Sequence, residues 1–178
     1  MAQAAPQRPG QRGGQRGMPD HFKFGMTMDM AAEYDCIEYY GRGPIENYSD
    51  RNSSQFLGVY QSTVADQYFP YIRPQENGNK TDIRWWRVKN ADGNGLEFFS
   101  DAPLSMSSLN YSTQDLDEGP QKHNVHAGDL SPRSYTVVHI DKAQYGLACV
   151  NSWGATPLEQ YKLHYGDYSY SFVIKPIR

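Results

Sequence analysis

The sequence predicts an all-β, antiparallel, sandwich-like protein, and three observations support that prediction. Apolar residues alternate with polar ones over several stretches, two-residue turn signals separate some of them, and no run of ten or more residues shows a helical apolar stripe. Aromatic residues make up 13% of the chain and include fourteen tyrosines, a composition typical of sheets. The length of 178 residues fits one domain with a sizeable core.

The chain begins with a segment of different composition. Residues 1–17 are rich in Gln, Gly, Pro and Arg and show no apolar periodicity, so they cannot bury enough surface to offset chain entropy. We therefore predict a disordered tail or linker over 1–17 and one β-sandwich domain over 18–178. The tail holds only three arginines and the net charge is −3, which does not favour a nucleic-acid partner. No apolar run approaches the roughly 20 residues of a membrane span.

The predicted strands follow from residue 22 onward. "FKFGMTMDM" alternates with a period of two, and the Asp92-Gly93 and Asn94-Gly95 pairs are hairpin signals between two further strands. Acidic residues in "STQDLDEG" suit the first turn of one short helix over 112–119. The predicted strands cover residues 22–30, 35–40, 82–90, 96–100, 133–141, 145–150 and 167–176.

Cysteine and histidine spacing gives no clear metal or disulfide site. Cys36 and Cys149 are too few for a disulfide framework, and they either pair or stay as two strand thiols. In "HNVHAGD", His123, His126 and Asp129 recur at intervals of three, which on a helix would place three possible metal ligands on one face. The neighbouring glycine and proline argue against a helix, so we predict no metal site.

Two carboxylate pairs lie in turn-like segments and are candidates for the acid and base of a glycosidase. Glu46 and Asp50 lie in "GRGPIENYSDR", and Glu76 and Asp82 lie further along the chain. Each pair is flanked by two arginines, and nearby cations lower a carboxyl pKa, which disfavours a general acid at neutral pH. Local ion pairing is the better interpretation. The residues assigned to this structural turn or ion-pair role are Arg42, Glu46, Asp50, Arg51 and Glu76.

A tryptophan in "VNSWGATP" raises a different possibility. Trp153 lies in a loop bounded by glycine and proline, where no alternating strand buries it. Such a side chain is either a core plug or an exposed stacking surface. Burying an aromatic side chain against an apolar partner, such as the C–H face of a sugar, is worth roughly 1.5–3 kcal/mol.

Three segments together resemble one family. "YYGRGPIENYSDR", "YFPYIRPQENGNKTDIRWW" and "NSWGATPLEQYKLHYGDYSYSFVI" are similar to the C-terminal, small-chain region of glycoside hydrolase family two β-galactosidases. The resemblance runs from about residue 18 to residue 177 and leaves the first seventeen residues outside. It implies an antiparallel β-supersandwich similar to galactose mutarotase. The family's domain is longer, so the resemblance also implies that this chain is a truncated portion of it.

The resemblance also implies where the chemistry lies. The family's two catalytic glutamates, and the metal site that usually holds Mg and Na, belong to a TIM-barrel domain that this chain lacks, so we expect no catalytic residue and no cofactor here. Trp153 matches the family tryptophan that serves as a stacking platform for the sugar. Residues 148–151 depart from the Gly and Asp that the family often has before it, although Ser152-Trp153 itself matches.

The leading hypothesis is therefore a domain of a β-galactosidase that shapes the sugar site and is inert alone. Its expected partners are a β-galactoside, a catalytic TIM-barrel domain in the same chain or in a large-chain partner, and a second copy through an exposed sheet edge. Both the bacterial cytoplasm and the periplasm stay open as its compartment. The alternatives are a stand-alone carbohydrate-binding module and a mutarotase-like enzyme, which would need a His/Glu pair that no spacing here supports.

Overall fold

A computed structural model describes residues 18–119, 123–148, 150–151 and 153–178. Antiparallel strands form most of its regular structure, which confirms the all-β class. The prediction for residues 1–17 and the two alternatives for Cys149, a pair with Cys36 or a free thiol, fall outside the described residues. The strands are β1 (Lys23–Ala31), β2 (Cys36–Gly43), β3 (Phe56–Thr63), β4 (Lys80–Lys89), β5 (Gly95–Leu109), β6 (Tyr135–Gln144) and β7 (Val173–Ile177).

Helical structure in the described ranges is short. One α-helix, α1 (Thr113–Leu116), begins at Ser112, whose side chain forms a reciprocal capping box with Asp115. The predicted short helix is thus confirmed. No helix in the described part of the chain is long and apolar enough to cross a membrane. Three 3₁₀ turns complete the regular structure, at Ala65–Gln67, Ala127–Asp129 and Glu159–Tyr161.

All seven strands belong to one hydrogen-bonded sheet. Its order is β1-β6-β5-β4-β2-β3, and β7 lies beside the first part of β5. The fifteen-residue β5 connects the other strands: residues 95–99 pair with β4 and β7, residues 104 and 106 also pair with β4, and residues 105–109 pair with β6. The same strand therefore runs through both halves of the domain.

The sheet bends over itself along β5. Trp86 lies directly opposite Phe98, yet its indole Nε1 donates a 3.0 Å hydrogen bond to Oγ of Ser108, ten residues further along β5. A straight strand would separate those two positions of β5 by about 33 Å. The bond is possible because β5 curves and because register shifts interrupt its pairing with β4. One sheet thus closes around a core in the manner of a sandwich.

The core lies on the concave side of this bent sheet. Trp86 is fully buried and stacks on Tyr39 of β2, with ring centroids 4.7 Å apart. Tyr170 and Phe172 cover the core from the segment before β7, and the Tyr170 hydroxyl donates a 2.8 Å hydrogen bond to the carbonyl of Ile140. The buried core cluster comprises Met30, Ile37, Tyr39, Val64, Ile83, Trp86, Val88, Phe98, Leu104, Met106, Val138 and Ile140.

The opposite face of β3, β2, β4, β5 and β7 carries two contrasting rows of side chains. One row is charged: Arg87 bonds to Glu38 and Glu97 at 3.1 and 2.8 Å, and these residues are paired in register across three strands. The neighbouring row is apolar and crosses five strands. In register order it contains Val59, Tyr40, Trp85, Phe99 and Val173.

Five of the seven predicted strands coincide with observed strands over all or most of their predicted length. The strand predicted over 145–150 is wrong, because the described residues there form a loop in which Ala148 has a left-handed φ of 56°, outside the extended range of a regular strand. Of the predicted strand 167–176 only its last four residues are in β7, because Tyr170 and Phe172 pack onto the core without strand pairing. Two strand segments have no counterpart among the predicted strands, namely β3 and the second half of β5.

Candidate functional site

The tryptophan singled out in the sequence lies at the tip of the loop that follows β6, residues 145–157. The Trp153 side chain is 88% exposed, so it is not a core plug. Asn151 shapes the tip, because its Oδ1 accepts hydrogen bonds from the main-chain amides of Trp153 at 2.9 Å and Ala155 at 3.4 Å. Gly154, at a φ of 78°, lets the chain turn back. This loop, which we call the Trp153 loop, presents its aromatic side chain to the surroundings.

The base of the Trp153 loop is held by a carboxylate from a distant segment. The two carboxylate oxygens of Asp50 accept hydrogen bonds from the main-chain amides of Leu147 at 3.1 Å and Ala148 at 2.7 Å. At Gly146 an added Cβ would lie 2.6 Å from Asp50 Oδ2 and 2.9 Å from Cβ of Tyr161, so only glycine fits there. "GRGPIENYSDR" therefore positions the loop that carries the tryptophan.

A second carboxylate of that segment, Glu46, is the centre of a buried network. Its side chain is 3% exposed and accepts a hydrogen bond from Arg51 at 2.9 Å and one from the Gly78 amide at 2.7 Å. The hydroxyl of Tyr71 also donates to it. Burial, followed by the hydrogen bond and charge of Glu46, raises the Tyr71 pKa. These contacts fix the turn against the segment before β4.

The other residues that were assigned a turn or ion-pair role contact different partners from the ones that the sequence predicted. Arg42 Nε donates to Asp82 Oδ2 at 2.5 Å. Glu76 pairs with Lys23 at 2.8 Å, and not with the arginines near it in the sequence. Asp50, expected to pair with an arginine, binds main-chain amides instead. In each case the partner is at least 40 positions away, which local spacing cannot show.

A cavity of about 810 Å³ lies behind the Trp153 loop, between that loop, β1 and β6. Its polar lining was not identified from the sequence, because the residues come from separate segments. Lys23 and Thr27 come from β1, His139 and Asp141 come from β6, and Glu76 precedes β4. The wall formed by the loop includes Gly146, Leu147, Ala155, Thr156 and Pro157.

Burial perturbs two titratable groups of this cavity in opposite directions. Asp141 is 3% exposed, and burial raises its pKa to about 6, with the Lys23 charge opposing and the Glu76 charge adding to the rise. Burial and the Lys23 charge lower the pKa of His139 to about 4, and its Nδ1 lies 3.1 Å from the Thr27 hydroxyl oxygen. At neutral pH the cavity thus holds a neutral imidazole beside a carboxylate.

The histidine-rich segment does not assemble a ligand cluster. Asp129 Oδ2 accepts hydrogen bonds from the main-chain amides of Val125 and His126 at 3.0 and 2.8 Å, which caps the turn at Ala127–Asp129. Across the described residues no group of three or more His, Cys, Asp or Glu side chains is arranged to hold a metal ion.

Comparison with known proteins identifies the family of this β-sheet domain. A sequence model of the family described as "Beta galactosidase small chain" matches residues 5–174. The β-galactosidase of Priestia megaterium is 34% identical over 161 residues, which is 90% of this chain. That of Streptococcus thermophilus is 29% identical over 92% of the chain, and that of Lactobacillus delbrueckii subsp. bulgaricus is 38% identical over 74%.

The class is therefore an all-β domain found within β-galactosidases. The chain belongs to the β-galactosidase small-chain family. It spans 15%, 16% and 12% of the length of these three relatives. The match begins at residue 5, so residues 5–17, which the sequence analysis left outside the resemblance, fall within the matched range.

Proposed function

We propose that this chain is the part of a β-galactosidase that completes the sugar site, and that Trp153 stacks on the sugar during hydrolysis of terminal β-D-galactosides. The observation that supports this proposal is the position of Trp153, 88% exposed at the tip of a loop whose base Asp50 holds. An exposed aromatic side chain on an anchored loop gains the most when an apolar partner, such as the C–H face of a sugar ring, covers it.

The proposal includes a division of labour between this chain and a catalytic TIM-barrel domain, in the same polypeptide or in a large-chain partner. Retaining hydrolysis needs two carboxyl groups about 5–5.5 Å apart, one as nucleophile and one as general acid. Here Glu46, Asp50 and Glu76 are engaged by Arg51, by main-chain amides and by Lys23. We therefore assign the catalytic pair, and the Mg and Na sites, to the partner domain, and we expect the isolated chain to be inert.

Trp153→Ala in the intact enzyme tests the stacking role. Loss of the buried aromatic area should weaken substrate binding by about 1.5–3 kcal/mol, seen as a raised KM. Trp153→Phe should retain most of the affinity, because it keeps an aromatic ring. Phe56→Ala, which removes another exposed aromatic ring far along the sheet edge, is the matched control. Unchanged KM and kcat in Trp153→Ala would refute the role.

Two measurements on the isolated chain test the division of labour. Hydrolysis of o-nitrophenyl galactoside should equal the buffer blank, and turnover that scales with protein concentration contradicts inertness. A stand-alone carbohydrate-binding module is the second candidate, since an exposed tryptophan also suits that function. Titration calorimetry with galactose, lactose and longer glycans separates the two, because binding that Trp153→Ala abolishes in the isolated chain favours the module.

A further inference from the structure

The strand β3 is an unprotected edge of the sheet. It lies at one end of the strand order and pairs with β2 over eight residue pairs without a register shift. Proteins usually protect such an edge with a charged residue, a proline or a bulge. Residues 56–63 contain no charged residue and no proline, whereas the edge strand β1 carries Lys23 and Asp29, and β7 carries Lys175 and Pro176. Among the edge strands of the described chain, β3 is therefore the one most open to pairing.

Exposed apolar side chains follow this edge. Phe56, Leu57 and Val59 are 76%, 45% and 60% exposed. Leu57 and Val59 lie on the outer face, where Val59 belongs to the apolar row that crosses five strands. Phe56 lies on the concave face with Tyr60, whose ring packs on that of Tyr39 with centroids 5.4 Å apart. A second strand against this edge would cover apolar surface on both faces.

The backbone of β3 directs alternate residues to the free edge. The pairing of β2 with β3 continues one residue beyond the strands, because the Val64 amide donates a 2.8 Å hydrogen bond to the Asp35 carbonyl. In an antiparallel ladder, residues bonded to the partner strand alternate with residues whose N–H and C=O groups point away from it. The main-chain groups of Leu57, Val59 and Gln61 therefore face the free edge.

One antiparallel register makes this edge complementary to a second copy of itself. A symmetric pairing centred on Gly58 places Leu57 opposite the partner's Val59 and Phe56 opposite the partner's Tyr60, and the symmetry repeats each pair. Aliphatic side chains then meet on the outer face, and aromatic side chains meet on the concave face. A pairing centred on Leu57 or on Val59 would instead place a glutamine opposite an aliphatic side chain.

The charged residues beside this edge are compensated within the chain. Arg42 of β2, which is paired with Leu57, bonds to Asp82 at 2.5 Å. Glu38 of β2 bonds to Arg87 at 3.1 Å. A second copy would therefore meet compensated pairs here, and like-charge repulsion between the copies is small.

We propose that two copies of this chain associate through β3, in antiparallel register about Gly58, so that one sheet continues across the dimer. Leu57 and the partner's Val59 exchange two main-chain hydrogen bonds, and the symmetry gives two more. Edge pairing of eight-residue strands buries less than the roughly 1,200–2,000 Å² of a stable interface. The dimer is therefore reversible, with a Kd between about 1 µM and 1 mM. This association uses no residue of the Trp153 loop and is independent of the proposed function.

Analytical ultracentrifugation of the full 178-residue chain tests the association. The mass should rise from that of one chain toward that of two as the concentration increases from about 1 µM to 1 mM. Hydrogen exchange should locate the contact. The amides of Leu57 and Val59 should exchange about tenfold or more slowly at the high concentration, whereas the Gly58 amide, which faces β2, should change less.

Two substitutions at Val59 should remove the interface and keep β3 paired with β2. Val59→Lys places a charge at the edge, and Val59→Pro removes an amide that faces it, so each should weaken association about tenfold or more. Val173→Lys, at an exposed valine of the same apolar row on β7, is the matched control and should leave association unchanged. Circular dichroism checks that each variant is folded.

Three results would overturn the inference. The first is the mass of one chain at every concentration. The second is a dimer that survives whichever Val59 substitution keeps the fold. The third is an equal loss of association in Val173→Lys, which would indicate contact through the apolar row and not through the β3 edge.

Discussion

Asp50 Oδ2 accepts a 2.7 Å hydrogen bond from the main-chain amide of Ala148, although the two residues are 98 positions apart. Ala148 has a φ of 56°, a conformation that costs an alanine about 1–2 kcal/mol. The hydrogen bond to a carboxylate offsets that strain. The turn in "GRGPIENYSDR" and the Trp153 loop are thus one structural unit, and changes in either should be measurable in the other.

Asp50→Asn should loosen the base of the Trp153 loop. An asparagine has one carbonyl oxygen in place of two carboxylate oxygens, so it can serve only one of the amides of Leu147 and Ala148 well. We expect the opening free energy of this segment to fall by about 1–3 kcal/mol, measured as faster hydrogen exchange of those two amides. Asp92→Asn, in the turn between β4 and β5, is the control. Equal exchange rates in the two variants would count against the anchor.

Gly146→Ala should destabilise the domain through steric conflict. Its new Cβ would lie 2.6 Å from Asp50 Oδ2 and 2.9 Å from Tyr161 Cβ, and the second neighbour is held close to the backbone. We expect a loss of about 1–3 kcal/mol in the free energy of unfolding from urea denaturation. Gly166→Ala, where an added Cβ meets nothing within 4 Å, should change it by no more than about 0.5 kcal/mol. A loss at Gly146→Ala no larger than that would contradict the close contact.

The two perturbed groups of the cavity should give opposite pH dependences of stability. Between about pH 4 and pH 6 the folded protein keeps the Asp141 proton that the unfolded chain has released, so this group stabilises the fold as the pH falls. The unfolded chain protonates His139 below pH 6.5, but the folded protein does so only near pH 4, so this group destabilises the fold as the pH falls. Each group changes the free energy of unfolding by up to about 1.4 kcal/mol per pH unit, and the two contributions nearly cancel because their signs are opposite.

Single substitutions reveal each slope. Urea denaturation at several pH values should show that Asp141→Asn loses stability relative to the unmodified chain as the pH falls from 6 to 4. His139→Gln should gain stability relative to it over the same interval. Background carboxylates contribute equally to all three proteins and drop out of the comparison. Parallel pH profiles would mean that burial does not shift these two pKa values as described.

Trp86→Phe should destabilise the bent sheet by removing the donor to Ser108. We expect a loss of about 1–3 kcal/mol in the free energy of unfolding, because the substitution leaves both a smaller ring and a buried hydroxyl without its partner. A double-mutant cycle with Ser108→Ala should give a coupling of about 0.5–1.5 kcal/mol. Trp85→Phe, on the half-buried opposite face, is the matched control. A coupling near zero would show that the bond does not contribute.

The fold was predictable where pairing is local and the pattern is regular. The hairpin between β4 and β5 follows from Asp92-Gly93 and Asn94-Gly95, and the alternation in β1 follows from its regular row of apolar residues. The strand β3 was missed because it lies at the sheet edge, where Phe56, Leu57 and Val59 are all exposed and no strict alternation marks one face. The strand predicted over 145–150 did not form because the main-chain amides of Leu147 and Ala148 donate hydrogen bonds to Asp50 instead of to a neighbouring strand.

The candidate site was predictable only at residues that carry a family motif or an unusual local context. Trp153 was identified because a tryptophan between Ser152 and Gly154 has no strand to bury it. The cavity was not, because Lys23, Glu76 and Asp141 come together only through the pairing of β1 with β6 and the return of a distant loop. Neither the charge of a residue nor its spacing along the chain shows which carboxylates come together with which other side chains in the fold.

The continuity of β5 also determines how the domain unfolds. Its first five residues are bonded to β4 and β7, and its last five are bonded to β6, which in turn holds β1. Unfolding of β5 breaks its pairs with both groups of strands at once, because one continuous strand makes them all. The domain should therefore behave as one cooperative unit, losing its tyrosine and tryptophan environments and its β-sheet circular dichroism at the same urea concentration.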